Sequence, residues 1–531
     1  MNILNFVSPS DASWSSVNLA EAVPGVMTPL TSSVWVPASE MGLRQPFREM
    51  GVLPPSQAVI PADPADRITG AFFGRMAVRV DFLCEMGDLV PGQSGESLSR
   101  DFFGFVPPDF VSHPSNRRLP AIALRYPRSL ATIARRIERD RREVDAWWRR
   151  SLASLGQLSA DGARGLLIDA RTRFTDALAL QAVVSACAIQ PVQDQISSLA
   201  DSAGVDLTDL LRGHGSHEES VVLTDMWAVS RRELDMEEFM SRHGYHCAGE
   251  GEVSSVSWRE DPGHVQRMVA RFGSLPETES PRARAAELEQ RGASATEKLR
   301  TNSSAGRIRV DLTLRLARRF IPLRGVGKVT YLQTLDVLRA CARRLGADAA
   351  ESGSLSDPED AFYFTADELA RPLPSGAGDI VSERRAQRAD YESLILPPTW
   401  TGNPVPERMS PPDAPAAAAH TEVCLNGVGA SPGTVTGRAV VVTDPATTDV
   451  DDGDILIAHT TDPSWVSLMF LSSALVVDIG GMMSHAAVVA RELGIPCVMN
   501  TGNGTRVITT GDTVSVDGVG GTVHIVSTSA A

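Results

Sequence analysis

The sequence predicts an α+β multidomain chain, in which a largely helical block with a small mixed sheet is followed by a compact β/α domain. Three observations predict it. Helical periodicity dominates from about Ser129 to Leu345, as in "TRFTDALALQAVVSACAIQPVQDQISSLADSAG" and "LQTLDVLRACARRLG". From Leu396 to His420 runs "LPPTWTGNPVPERMSPPDAPAAAAH", rich in Pro and Ala and without an amphipathic pattern, as in a semi-rigid linker. The composition then turns to Val, Thr, Gly and Asp, in short apolar runs separated by turn residues. The expected boundaries are therefore 1–397, a linker at 398–421, and 422–531.

Taken in order, residues from Asp11 to about Gly104 are Pro- and Gly-rich with short apolar runs such as "GAFFGRMAVRVDFL", which predicts mixed strands and loops. The helical block follows. Its run "RRIERDRREVDAWWRR" interleaves acids with bases, as a solvated helix face does. No internal repeat is present. The 531 residues allow about two to four domains with sizeable cores, and 43% hydrophobic content is ordinary for a globular protein. A net charge of −15 argues against nucleic-acid binding, which rests on clustered positive charge. Six cysteines, Cys84, Cys187, Cys247, Cys341, Cys424 and Cys497, form no C-x-x-C pair, so free thiols in a reducing cytoplasm are expected and no metal site is assigned. The start "MNILNFVSPSDASW" lacks a basic region leading into an apolar core, and no uninterrupted apolar run approaches the roughly 18 residues of a membrane helix. A cytoplasmic protein without a membrane partner is the expectation.

The most informative stretch is "SALVVDIGGMMSHAAVVARELGIP". Its β-branched start reads as a buried strand around Val476 and Val477, broken at Gly480 and Gly481. Ser484 is a good helix N-cap. Ala486, Val489, Ala490 and Leu493 fall at helical spacing, and Gly494 followed by Pro496 stops the helix. His485 then sits in the first turn, where free N–H groups and the helix dipole favour an anion and disfavour an imidazolium. A neutral imidazole is a nucleophile, and a phosphoryl group on it would carry oxygens those N–H groups can hold.

The blocks "GVGASPGTVTGRAVVVTD", "GDILIAHTTDPSW", "GGMMSHAAVVARELGIPCV" and "GTRVITTGDTVSVDGVGGTVHIV" resemble, in order, the swivelling phosphohistidine domain of the phosphoenolpyruvate synthase, pyruvate phosphate dikinase and rifampin phosphotransferase group. The resemblance implies that His485 is transiently phosphorylated, with Ser484 beside it and Gly480, Gly481 and Arg491 as phosphate-binding residues. The chain departs from the family at Asp478, usually Glu, and at Met482 and Met483.

Earlier blocks resemble the substrate-binding domain of the same family: "NLAEAVPGVMTPLTSSVW", "GRMAVRVDFLCEMGDLVPG", "FMSRHGYHCAGEGEVSSVSWREDP", "IPLRGVGKVTYLQTLDVLRACARRLG" and "GSLSDPEDAFYFTADEL". Where the family writes Gly-His-Arg-Gly, this chain has Gly244, Tyr245, His246 and Cys247; Glu250 keeps the acid. In the Arg-Glu-x-x-Lys helix entry Arg324 and Lys328 remain, while Gly325 replaces the Glu. A phosphoryl acceptor site needs a base for the hydroxyl proton and cations for the moving group. His246 or Glu250 could be that base, and Arg324 with Lys328 the cations; an ordinary polar pair and a solvated helix start are the alternatives that stay open. "RGVGKVT" is not a phosphate loop, since Pro322 and Val329 stand where Gly and Ser or Thr belong.

Rifampin phosphotransferase places an ATP-grasp domain ahead of the substrate domain, whereas the first matching block here begins at Asn18. The expectation is a phosphotransferase subunit whose His485 is charged by a separate ATP-grasp protein holding ATP and Mg²⁺, and which passes the phosphoryl group to a hydroxyl of a small-molecule acceptor. The product is a stable ester or, because phosphate leaves more easily than hydroxide, a compound primed for dehydration or deoxygenation. A ligand-binding or regulatory protein, or an ATP-independent lyase using His246 and Glu250, are the competing readings.

Overall fold

The computed structural model describes the chain except for residues 1–2, 18, 20–21, 206, 208–209, 211–216, 304–305, 409–423, 444, 446–447, 449, 452, 462–464, 481–483 and 529–531. The chain forms two compact units. The first comprises Met1–Gln190, Gly251–Ser254 and Val326–Pro411, and the second Pro191–Glu250, Ser255–Gly325 and Pro412–Ala531. The α+β multidomain class is as the sequence predicts, but the units are not divided at residue 397.

Unit 1 contains six short strands: β1 (Ser13–Ser15), β2 (Thr69–Phe72), β3 (Arg75–Arg79), β4 (Leu394–Ile395), β5 (Thr399–Thr401) and β6 (Glu407–Arg408). Four of them make an antiparallel sheet in the order β2-β3-β1-β5. β2 and β3 are joined by Phe73 and Gly74, both at positive φ (45° and 75°), the two-residue hairpin turn that matches strand twist. Trp14 on β1 lies opposite Trp400 on β5. Phe72 packs edge-on to both, at 4.9 Å and 5.1 Å between ring centroids. This corrects the expected linker, for its first residues are bound into the sheet by an aromatic cluster that the Pro-rich text concealed. Residues 409–421 of that linker lie outside the described residues.

A second correction concerns Asp11 to Gly104. Besides strands and loops it holds the 22-residue helix Pro29–Met50, whose interior Pro37 and Pro46 read as breakers in the sequence. Tertiary contacts offset them. Thr28 caps the helix, and the Glu252 carboxylate accepts from Thr28 N (3.1 Å), Thr28 Oγ1 (2.8 Å) and Thr31 Oγ1 (2.5 Å). An anion at that end also meets the helix dipole. The carbonyls beside Glu252 are taken as well, Gly251 O by Trp35 Nε1 (2.7 Å) and Val253 O by Arg339 Nε (3.1 Å).

Unit 2 holds β7 (Cys424–Asn426), β8 (Val428–Ser431), β9 (Thr434–Val442), β10 (Ile455–Ala458), β11 (Ala474–Val477), β12 (Cys497–Met499), β13 (Thr513–Asp517) and β14 (Thr522–Ser527). They form one sheet in the order β7-β14-β13-β9-β10-β11-β12-β8. The strands β9 to β12 run parallel, and β10, β11 and β12 are buried at every residue, as strands covered on both faces must be. One face packs Ile455, Ile457, Val476 and Val498 against Val514, Val516 and Val523. The other buries Leu456, Leu475, Val477 and Met499 with Ala486, Val489 and Ala490 of the helix His485–Leu493. The same core takes in Met226, Phe239, Trp258, Met268 and Phe272 from the helices His217–Ser230, Met236–His243 and Gly263–Ser274 and the loop between the last two. Phe272 and Phe470 meet at 5.2 Å. That shared core is why residues 191–250 and 255–325 group with the carboxyl-terminal strands.

One helical stretch, Ala160–Ala203, is long and apolar enough to cross a membrane by length and composition alone; 44% of its apolar window is buried within the protein. A π-helical turn, Ser185–Ile189, interrupts it, and Tyr126 donates its hydroxyl to Cys187 O at 2.8 Å.

Candidate functional site

The backbone dictates where His485 stands. β10 and β11 are parallel and paired as far as Ala458 and Val477, and the ladder continues with Asp478 N donating to Ala458 O (3.0 Å) and Ile479 N to His459 O (2.9 Å). Residues following both strands therefore emerge at one edge, the carboxyl end of a parallel sheet, where open α/β sheets place their ligands. Gly480 turns the chain at φ 152°, and a Cβ there would lie 2.2 Å from Met499 Cε. Gly481, Met482 and Met483 lie outside the described residues. The expected helix follows as His485–Leu493, with Ser484 Oγ accepting from Ala487 N at 3.4 Å and Gly494 closing it at φ 70°.

His485 is half-buried in the first turn, and its Nδ1 lies 3.0 Å from Thr461 Oγ1. When Nδ1 carries the proton and donates it to Thr461, Nε2 keeps its lone pair. A neutral hydroxyl partner, unlike a carboxylate, does not favour the imidazolium, so the contact suits an imidazole that must attack. Thr461 was not singled out in the sequence. The available signal was its position, just past a buried parallel strand at the edge that also carries His485.

Asp478 fastens this edge. It accepts from Thr501 Oγ1 (2.9 Å), from Thr505 N (3.3 Å) and from the Thr505 hydroxyl, and His459 Nδ1 lies 3.5 Å away. Burial pushes its pKa up, but hydrogen bonds from His459, Thr505 and Thr501 outweigh it and hold the carboxyl below its ordinary range. The family's usual Glu would be one methylene longer. Gly504 leaves room for the acid, since a Cβ there would stand 2.9 Å from Asp478 Oδ1.

Arg491 is buried in the last turn of the same helix. Six residues of rise put it about 9 Å along the axis from His485. It lies near Cys497, whose thiol burial pushes up to about 12, with Arg491 only partly opposing. The structure thus brings Gly480, Ser484 and Thr461 to His485 and keeps Arg491 at the far end of the helix.

His246 and Glu250 are brought together. Nδ1 and Oε1 are 2.5 Å apart, with the residues 4% and 5% exposed. They sit not on a helix but in a turn-rich segment pinned by the Cys247–Ser257 bridge and by Trp258 N donating to His246 O (2.8 Å). Tyr245 and Trp258 pack on the imidazole at 4.3 Å and 5.0 Å. The neighbouring His243 binds Asp225 through Nε2 at 2.8 Å, and that hydrogen bond, with Arg242, lowers the Asp225 pKa. Arg324 and Lys328 are both half-buried, one turn apart at the start of the helix Leu323–Glu351. Gly327 between them allows close packing: a Cβ there would overlap Gln181 Oε1 and lie 2.9 Å from Ile137 Cδ1. Among the described residues no group of three or more His, Cys, Asp or Glu is arranged to hold a metal ion.

Comparisons with known proteins bear on both halves of this site. Residues 450–521 match the family described as "PEP-utilising enzyme, mobile domain", and residues 174–325 match "Rifampicin phosphotransferase fourth domain". An uncharacterised protein of Mycobacterium tuberculosis is 32% identical over 284 residues, 53% of this chain and 30% of that one. The rifampicin phosphotransferase of Streptomyces sviceus is 30% identical over 302 residues, and that of Bacillus subtilis 28% over 299, covering 55% and 54% of this chain. Each match covers 34% of the relative, so the chain spans about a third of the length of the curated relatives it matches. A solution structure of an Enzyme I protein aligns over 58% of this chain and 78% of its own at 14% identity, with a TM-score of 0.15 that carries no weight. Over these two segments, in that order, the chain is similar to a rifampicin phosphotransferase fourth domain and to a PEP-utilising mobile domain.

Proposed function

We propose that the chain is the carrier and acceptor part of a phosphohistidine-dependent phosphotransferase, with His485 as the carrier. The observation that supports this best is the placement of His485, in the first turn of a capped helix with Nδ1 on a neutral threonine hydroxyl. In the first step the Nε2 lone pair attacks the phosphorus of a donor, and the bond to the donor's leaving oxygen breaks. The positive end of the helix dipole then lies beside the phosphoryl oxygens. In the second step a hydroxyl oxygen of a small molecule attacks the phosphorus, and the N–P electron pair returns to Nε2. The hydroxyl proton goes to the His246–Glu250 pair, and Arg324 and Lys328 supply positive charge for the moving group. The donor in this reading is an ATP-grasp partner that binds ATP and Mg²⁺. The same transfer serves a phosphate ester or a product from which phosphate is then eliminated.

Intact-protein mass spectrometry after incubation with Mg·ATP and the ATP-grasp protein encoded nearest to this chain tests the reading, with an alkaline quench to preserve the phosphoramidate. One phosphoryl group should be gained, and none by His485→Ala. No gain with any such partner would move the weight to a ligand-binding protein or an ATP-independent lyase.

A further inference from the structure

The His246 imidazole is packed by aromatic rings and held at one nitrogen. Tyr245 and Trp258 pack against the ring at 4.3 Å and 5.0 Å, and Nδ1 is held by Glu250 at 2.5 Å. The remaining polar atom, Nε2, is buried and has no hydrogen-bond partner among the described residues. A buried, unsatisfied ring nitrogen is costly, and the cost is recovered when a donor arrives. The carboxylate on Nδ1 fixes the tautomer in which Nε2 is an acceptor, ready for an O–H. This is the arrangement of a general base oriented by an acid.

We infer that His246 Nε2 is the base that takes the proton of the acceptor hydroxyl and that Glu250 is its positioning residue. The assignment rests on the carrier reading above and decides between the two candidate bases it leaves. As the hydroxyl oxygen bonds to phosphorus, its O–H bond breaks and the proton passes to Nε2. The N–P bond to His485 breaks with its electron pair returning to His485, and the new imidazolium at His246 is stabilised by the Glu250 carboxylate. A proton lost to solvent resets the pair. Because His246 is 4% exposed, the acceptor reaches Nε2 through a local rearrangement of the turn beside the ring, where Gly249 lies at φ 65°. The other titratable groups around the ring are Tyr245, directly on it, and His243, 6.4 Å away and bound to Asp225.

The test uses the full chain with His485 charged by phosphoramidate or by Mg·ATP and the partner, discharging onto phenol and glycerol as probe hydroxyls, followed by phosphorus NMR across a pH series. His246→Gln should charge as the wild type does, which also shows that its unit is folded, and then discharge at least about a hundredfold more slowly, without the wild type's loss of rate toward acid. Glu250→Gln, which keeps an acceptor for Nδ1–H, should slow discharge by about tenfold and keep that acid limb. Equal discharge by His246→Gln and wild type, or wild-type discharge no faster than free phosphohistidine, overturns the assignment while leaving the carrier intact. No charging of the wild type by either donor overturns the carrier reading and this assignment with it.

Discussion

His485 and His246 lie in one compact unit and are held in opposite ways. His485 is half-buried at the start of a helix, with a neutral hydroxyl on Nδ1; His246 is enclosed by two aromatic rings, with a carboxylate on Nδ1. A hydroxyl can accept from Nδ1–H or donate to the bare nitrogen and does not favour the cation, whereas a carboxylate holds the Nδ1–H tautomer and stabilises the cation that forms. The first environment suits an imidazole that gives its lone pair to phosphorus. The second suits one that takes a proton. In the proposed reaction, similar rings would be separated by their partners into a nucleophile and a base.

The largest effects should break this distinction outright. His485→Ala abolishes phosphoryl uptake in intact-mass measurements, while His246→Gln leaves it whole; uptake lost in both would mean that the two histidines are not separable. Next comes the anchor of the His485 edge. Asp478→Ala leaves the Thr501 and Thr505 donors without their acceptor and should cost about 2–4 kcal/mol in thermal or denaturant unfolding. Asp478 also titrates below its ordinary carboxylate value of 3.8 in the folded chain, so its contribution is present above that value and lost as pH falls through the depressed one. The stability gap between wild type and Asp478→Asn should accordingly narrow in strong acid, and a gap constant from neutral pH to pH 3 would show that the carboxylate is not what anchors this edge.

Smaller changes sharpen the comparison. Thr461→Val removes the partner of Nδ1, and uptake onto His485 should slow about five- to tenfold, the worth of one hydrogen bond, with Thr461→Ser restoring most of the rate. Unchanged single-turnover rates in Thr461→Val would mean that the helix start alone prepares the ring. Ser484→Ala should cost about 1 kcal/mol of stability with uptake retained, since its oxygen serves the cap.

How much of this could be read in advance depended on the range of the interactions. The Ser484 cap, the short helix and the Gly494 stop are local signals, and each stands where the residues placed it. Thr461 is 24 residues from His485, and only the pairing of β10 with β11 brings them together. The helix Pro29–Met50 was hidden because its two interior prolines carry local penalties, while its cap comes from Glu252, some 220 residues away. Likewise Trp400, within a Pro-rich stretch, is defined by its partners Trp14 and Phe72 and not by its neighbours in sequence. The His246–Glu250 contact needed only nearby residues, yet its enclosure by Tyr245 and Trp258 could not be seen in the spacing.

The core that joins Phe272 and Met268 to Leu475, Val477 and Phe470 sets a rule for cutting the chain. A fragment that begins at Cys424 would contain every strand of the carrier sheet and His485, and would still leave the outer side of its helical layer without the aromatic cover that helices His217–Ser230 and Gly263–Ser274 provide. Such a fragment should be sticky and poorly soluble unless those helices are supplied alongside it, so the smallest portable module that carries His485 is stitched from two separate stretches of sequence.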